Sequence, residues 1–379
     1  MAASNTTMGN FTFALQAALG AYSDETYTNA KKLSGTGIVG GSAQIDPSTE
    51  TYIGQARFFK PYSSQTVNVA SLSSATDGSK QSYTSDYLTY VKTVRTHGAQ
   101  EINMQRVVSQ QDGLAKIARD FGEVRAQDEH DAILSVLKGV AGAESKIASD
   151  NGTGGIADFG QDYSATTTGF YVDINAAGAY GTAADSETNA RDLIIGGSTS
   201  TGYGAVLGEN LFKAVSLGFA DYEPDYLYMV TSPEILTKLR VANLVDQTTV
   251  TEGNLEFSTI FGGKFRLIVT RADQGNRAAD SDVNALSTKT TFLCKPGAIE
   301  MAQLNVPMPV ELYRDANKYN GGGTTDIWYR WGYVAHPMGY SVASGAQNAF
   351  ASNATLATNT TFERKFDMLN LGILPVFHS

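Results

Sequence analysis

Acidic and imidazole side chains crowd together at one place in the sequence, Asp128-Glu129-His130-Asp131. Such a set is raw material for a metal site or for general acid–base chemistry. Both require the groups to converge, and on a helix that takes spacings of three or four residues. Four consecutive residues point around the axis instead. The run also fills a polar gap in an apolar stripe, so the expected role is a solvated or subunit-facing helix surface. His97, His336 and His378 are scattered, and no zincin, nucleophile-elbow or Walker pattern is present. No catalytic, cofactor-binding or metal-binding residue is assigned, and no cofactor is expected.

Three other patterns resolve the same way. Gly35-Thr36-Gly37-Ile38-Val39-Gly40 is a literal Gly-x-Gly-x-x-Gly. A dinucleotide site needs a buried strand before it and a helix after it. Here Ala30-Lys31-Lys32-Leu33-Ser34 precedes and Gly41-Ser42-Ala43-Gln44-Ile45-Asp46-Pro47 follows, so a loop is expected. Cys294, the single cysteine, excludes an intrachain disulfide and a Cys-based zinc site, and its apolar run predicts a buried, inert thiol. Trp328-Tyr329-Arg330-Trp331 alternates, which on a strand puts Trp328 and Arg330 on one face and Tyr329 and Trp331 on the other. Stacking on bases would need a basic field, so core and interface packing is the expected role.

The elements around these residues read as follows. Phe11–Tyr22 suits a short apolar helix in an otherwise unpatterned arm, residues 1–50. Thr51–Val69 and Ser82–Arg95 are β-prone runs flanking the polar stretch Leu72–Gln81, which predicts a long hairpin over 51–100. It carries too few apolar residues for a core of its own, so it is expected to lie across a neighbour. Leu114, Ile117, Ala118, Phe121 and Val124, then Ala132, Ile133, Val136, Leu137 and Val140, form one helical stripe from Leu114 to Ala141. Ser109 or Asp112 can cap it, and Gly139 and Gly142 are read as loosening its end. Asp150–Gly204 is read as loops, with room for a strand at the apolar island Gly169–Ile174. Helices are expected at Asn210–Ala220 and Pro233–Leu244, and strands at Tyr226–Thr231, Phe265–Thr270, Thr291–Cys294, Pro309–Arg314 and Asp326–Ala335. The fold class is α+β.

Composition narrows the function. Among 379 residues, 28 Lys and Arg face 38 Asp and Glu, a net charge of −10, which rules out binding nucleic acid through a global basic field. No apolar run is long enough for a membrane span. No Lys or Arg precedes Lys31, so the charged start of a secretion signal is not expected, and the Asn-x-Ser/Thr sites at Asn5, Asn10, Asn151, Asn353 and Asn359 are read as a by-product of composition. Charged residues are only 17%, and hydroxyl and amide groups carry the polarity, as in assembly proteins. The chain is not expected to be an enzyme.

The layout resembles the major capsid protein of tailed bacteriophages with the Hong Kong 97-like (HK-97) fold. The stretch Ser109–Ala143 is similar to that family's spine helix, with Asp112-Gly113-Leu114 opening it and Leu137-Lys138-Gly139-Val140-Ala141-Gly142-Ala143 closing it. Asn210–Leu239 follows, with Tyr228-Met229-Val230-Thr231-Ser232-Pro233 departing at the family's His. Ile260-Phe261-Gly262-Gly263-Lys264-Phe265, Pro296-Gly297-Ala298, Glu311 with Arg314-Asp315, and His336-Pro337-Met338-Gly339 complete the order. The resemblance implies an N-terminal arm at 1–50, an extended loop at 51–100, the spine helix and peripheral domain at 101–194, an axial domain at 195–345, and a C-terminal return to the peripheral domain at 346–379. It implies a virion protein assembled in the host bacterial cytoplasm. Its partners would be copies of itself in hexamers and pentamers, a separate scaffolding protein, a portal, possible decoration proteins and, by weak non-specific contact, packaged double-stranded DNA. A surface-layer or adhesin-type structural protein is the alternative. A hydrolase would need converging carboxylates.

Overall fold

The computed structural model describes residues 4–31, 33–41, 45–59, 85–102, 113–151, 166–173, 209–219, 223–241, 243–252, 255–270 and 289–378. In chain order the regular elements are α1 (Ser4–Ala30), β1 (Val39–Gly41), β2 (Ile53–Phe59), β3 (Ser85–Val91), β4 (Thr93–Ile102), α2 (Gly113–Asp150), β5 (Val172–Asp173), α3 (Glu209–Phe219), β6 (Leu227–Thr231), α4 (Pro233–Val241), β7 (Val245–Glu252), β8 (Leu255–Ile260), β9 (Phe265–Val269), β10 (Lys289–Cys294), β11 (Ile299–Gln303), β12 (Val310–Asp315), β13 (Thr324–Pro337), β14 (Tyr340–Val342), α5 (Asn353–Ala357), β15 (Phe362–Arg364) and β16 (Ile373–His378). Helix and sheet are both extensive, so the class is α+β. The hairpin tip expected at Leu72–Gln81, the caps Ser109 and Asp112, and most of Asp150–Gly204 lie outside the described residues.

The apolar stripe is one helix, α2, of 38 residues. At about 1.5 Å per residue it spans about 57 Å. It runs past the expected end because Ala143, Glu144 and Ala148 remain buried there. From Ala132 to Leu137 every residue is buried, so the stripe widens into an enclosed core helix. Val124, at the edge of the stripe, is exposed. The glycines do not loosen α2. A Cβ at Gly139 would meet the Leu356 carbonyl and, at 2.8 Å, the Phe362 ring, so the glycine admits a neighbouring segment at backbone distance.

Within residues 1–50 the helix is longer than the expected Phe11–Tyr22. Helix α1 has 27 residues and packs along α2 in the same chain. Leu19, Ser23 and Tyr27 are buried at helical spacing. Their apolar contrast is weak because one is a serine, which explains why only the apolar centre is legible in sequence. The helices cross at Gly122, where a Cβ would come within 2.7 Å of the Tyr27 backbone nitrogen.

Two sheets flank these helices. In one, the 14-residue strand β13 is central, with β4 antiparallel along one side and β12 then β11 along the other; β1 adds parallel to β11. The second has seven strands in the order β5-β16-β10-β6-β9-β8-β7. Strands β2 and β3 form the expected hairpin, and β14 pairs with β15. The strands of 195–345 are divided between two sheets. In the C-terminal segment, β16 inserts between β5 and β10 of the seven-stranded sheet. The cause is composition, since Ile373, Leu374, Val376 and Phe377 are fully buried and suit an interior position flanked by apolar strands. Among the described residues no helix is long and apolar enough to cross a membrane.

Candidate functional site

The acidic run 128–131 diverges around the helix axis as expected, but its surface is not solvated. Asp128 accepts hydrogen bonds from Tyr333 Oη at 2.9 Å and Trp331 Nε1 at 3.1 Å, and pairs with Arg95 at 3.3 Å. Glu129 is fully buried and accepts from Tyr27 Oη at 2.6 Å and Gln303 Nε2 at 3.1 Å. Arg125, one turn back, pairs with Glu129 at 3.4 Å, stacks over the Tyr27 ring at 3.9 Å and reaches Asp24 at 3.2 Å. Burial, then the Glu129 charge, drives the Tyr27 phenol well above its ordinary range. His130 lies on another side, with Nε2 3.1 Å from Thr270 Oγ1. Asp128 and Glu129 thus fasten α2 to α1, β4, β11 and β13, while Asp131 stays within α2 and accepts from Gln127 Nε2 at 2.7 Å. The local polar gap hides this because the partners lie up to 205 residues away.

The remaining candidates separate cleanly. Gly35–Gly40 runs from a 3-10 turn into β1, with no strand before it and no helix directly after it among the described residues. Cys294 is fully buried in β10, and burial pushes its thiol up and away from the reactive thiolate. His336 is buried at the end of β13, and burial pulls its imidazole down to about 4; a Tyr340 backbone group opposes this weakly without meeting hydrogen-bond geometry. Among the described residues no three His, Cys, Asp or Glu side chains are placed to hold a metal ion.

What the structure does bring together is exposed aromatic surface. The alternation at 328–331 falls as expected: Tyr329 and Trp331 are buried against the helices, and Tyr329 stacks on the buried Phe121 at 5.6 Å. Trp328 is 46% exposed on the opposite face. Register places it beside Gly98 and Glu311, with the Arg330–Glu311 pair at 2.6 Å and Gln100–Asp326 at 2.7 Å on the same side and Tyr313 exposed nearby. Among the described residues, helices thus cover this sheet on one face only. The hairpin adds a second surface. Its inner side is tied to its own chain, through Phe58 against Phe366 at 4.9 Å and the Thr89 amide to Ser341 Oγ at 3.1 Å. Its outer side carries Phe59, 71% exposed, and Tyr87 beneath Arg57 at 5.3 Å.

Solved structures that match this chain over most of its length are phage heads. The capsid of Ralstonia phage GP4 matches 92% of this chain and 91% of its own, at 10% identity and a TM-score of 0.49. The capsid of cyanophage P-SCSP1u covers 92% and 86%, at 11% identity and a TM-score of 0.45. The cyanophage Pam1 capsid covers 86% and 84%, at 14% identity and a TM-score of 0.40. No protein-family model matches the sequence, and no curated protein does. The identities are at a level where side-chain roles do not transfer, so each residue's role follows from the contacts within this chain.

Proposed function

We propose that this chain is the major capsid protein of a tailed double-stranded DNA bacteriophage, with an HK-97-like fold, and that it closes through hexamers and pentamers into an icosahedral head. The observation that carries the reading is the one-sided five-stranded sheet, stiffened by α2 and flanked by a hairpin with outward aromatics. Heterologous contacts between such surfaces generate rings, and rings that close generate shells. In this reading α2 and its sheet form the peripheral domain, and the seven-stranded sheet forms the axial domain. The β2–β3 hairpin, within residues 51–100, is the extended loop. The chain acts as a structural protein rather than an enzyme. A net charge of −10 lets packaged DNA slide past a weakly repulsive wall. A separate scaffolding protein, a portal and decoration proteins are the partners such a shell calls for, and the host bacterial cytoplasm is where it would assemble.

Cryo-electron microscopy and sedimentation of the purified chain test this. Closed shells or rings are expected. A species of only 40.4 kDa under assembly conditions overturns the proposal. Flat sheets or fibres would favour a surface-layer protein instead.

A further inference from the structure

Strands β3 and β4 follow one another with a single residue between them, Lys92, yet they belong to different sheets. Strand β3 pairs with β2 in the hairpin, and β4 pairs with β13 in the body. A direction change within one residue would leave backbone groups unpaired, and here they are paired: the Lys92 amide donates to Tyr52 O at 2.8 Å, and its carbonyl accepts from the Ala351 amide at 3.0 Å. The side chain is the unusual part. Lysine is almost never fully buried unless paired, because desolvating an ammonium is costly. Lys92 is 0% exposed, with Nζ 2.6 Å from Ser48 O and 3.0 Å from the Asp46 carboxylate.

Those partners form a strap. The Asp46 amide donates to Tyr90 Oη at 2.7 Å, Ser48 donates back to Asp46 through both its amide and its hydroxyl, and Asn305 N donates to Pro47 O at 2.8 Å. The strap therefore touches the hairpin through Tyr90, the joint through Lys92 and the body through Asn305. We propose that residues Asp46–Ser48 are a latch that fixes the angle of the β2–β3 hairpin at the Lys92 joint. The Asp46 side chain is 54% exposed, so the latch can be opened from solvent without unpacking the core. Hydrogen bonds from Ser48, with help from Lys92, hold the Asp46 carboxyl down to about 2, which keeps it charged at neutral pH.

Amide hydrogen exchange on the soluble subunit tests the latch. In Asp46→Asn, the amides of 53–59 and 85–91 should exchange at least about tenfold faster, while 93–102 and 324–333 stay unchanged. Lys92→Met, which removes the buried charge as well, should give the same pattern. Equal acceleration in hairpin and body, or no acceleration in either, overturns the latch. Its effect on assembly rests on the proposed function: an unlatched hairpin should lower the yield of closed particles several-fold. An unchanged yield would overturn that consequence. Failure of the unaltered chain to form shells would sink the capsid reading while leaving the exchange result standing.

Discussion

Helix α2 is held in two different ways along its length. Around residues 125–129 it is tied to α1 and β13 by charged and aromatic groups that reach the surface: Asp24, at one end of the chain of contacts, is 66% exposed. Around residues 139–144 it is sealed. Gly139 admits a backbone, Phe170 N donates to Glu144 at 2.7 Å, and Glu144 pairs with Arg364 at 2.9 Å, the two side chains being 0% and 6% exposed. Water can replace a lost partner at Asp24 and cannot at Glu144. The same kind of contact should therefore carry very different energetic weight at the two ends.

The largest effect belongs to the sealed end. Arg364→Ala leaves Glu144 buried without its counter-charge and should cost about 3–5 kcal/mol in urea unfolding. A cost below about 1 kcal/mol, the scale of a solvated pair, would mean that water enters the site and the contrast is false.

Acid sensitivity sharpens the comparison next. His336 and Tyr340 belong to the sealed end, and Glu144 is among the groups that push the Tyr340 phenol up. Burial lowers the His336 imidazole from 6.5 to about 4, so the unfolded chain binds the extra proton first. Its contribution to stability is whole above pH 6.5 and is lost as pH falls toward 4, by an amount on the order of 3 kcal/mol. Glu144, raised by burial, acts in the opposite sense, so the readout is a difference. Unfolding free energies at neutral and acid pH should fall more steeply for the natural chain than for His336→Asn. Equal slopes would remove His336 from the account.

At the open end, Asp128→Asn keeps the shape but loses the charge that faces Arg95 and places an amide before the Trp331 and Tyr333 donors. A loss of about 1–3 kcal/mol is expected from the charge-assisted bonds. A cost within a few tenths would restore the solvated surface inferred from sequence. Smallest of all, Asp24→Ala should cost less than about 1 kcal/mol and less still in high salt. Thermal melts at two salt concentrations check it, and a large salt-independent loss would merge the two ends into one class.

These contrasts also mark what local sequence carries. Strands β6, β9, β10, β12 and β13 are legible because each shows a β-prone or alternating run of four or more residues, and helix α4 because Pro233 opens it. The one-sided exposure of Trp328 against Tyr329 follows from strand alternation alone. Asp128 and Glu129 mislead for a physical reason: a carboxylate is placed by the donors that face it, and Trp331, Tyr333 and Gln303 arrive from more than 170 residues downstream. The true extent of α1 is hidden because Ser4–Asn10 is made mostly of poor helix formers. Strand β16 is visible as an apolar run, but which sheet it enters is a long-range pairing that no window reports.

That pairing has a consequence for timing. Strand β16 is synthesised about 140 residues after β6, and the seven-stranded sheet is incomplete until it arrives. At about 5–20 residues per second, a ribosome takes roughly 7–30 s to cover that distance. In the later part of that interval, once β10 has been made, one of its edges, with Phe292 and Leu293, has no neighbour to bond, in a crowd of nascent copies with the same open edge. The cell must keep such chains apart for longer than local folding takes, so the yield of native subunit should track the supply of chaperone and the speed of translation.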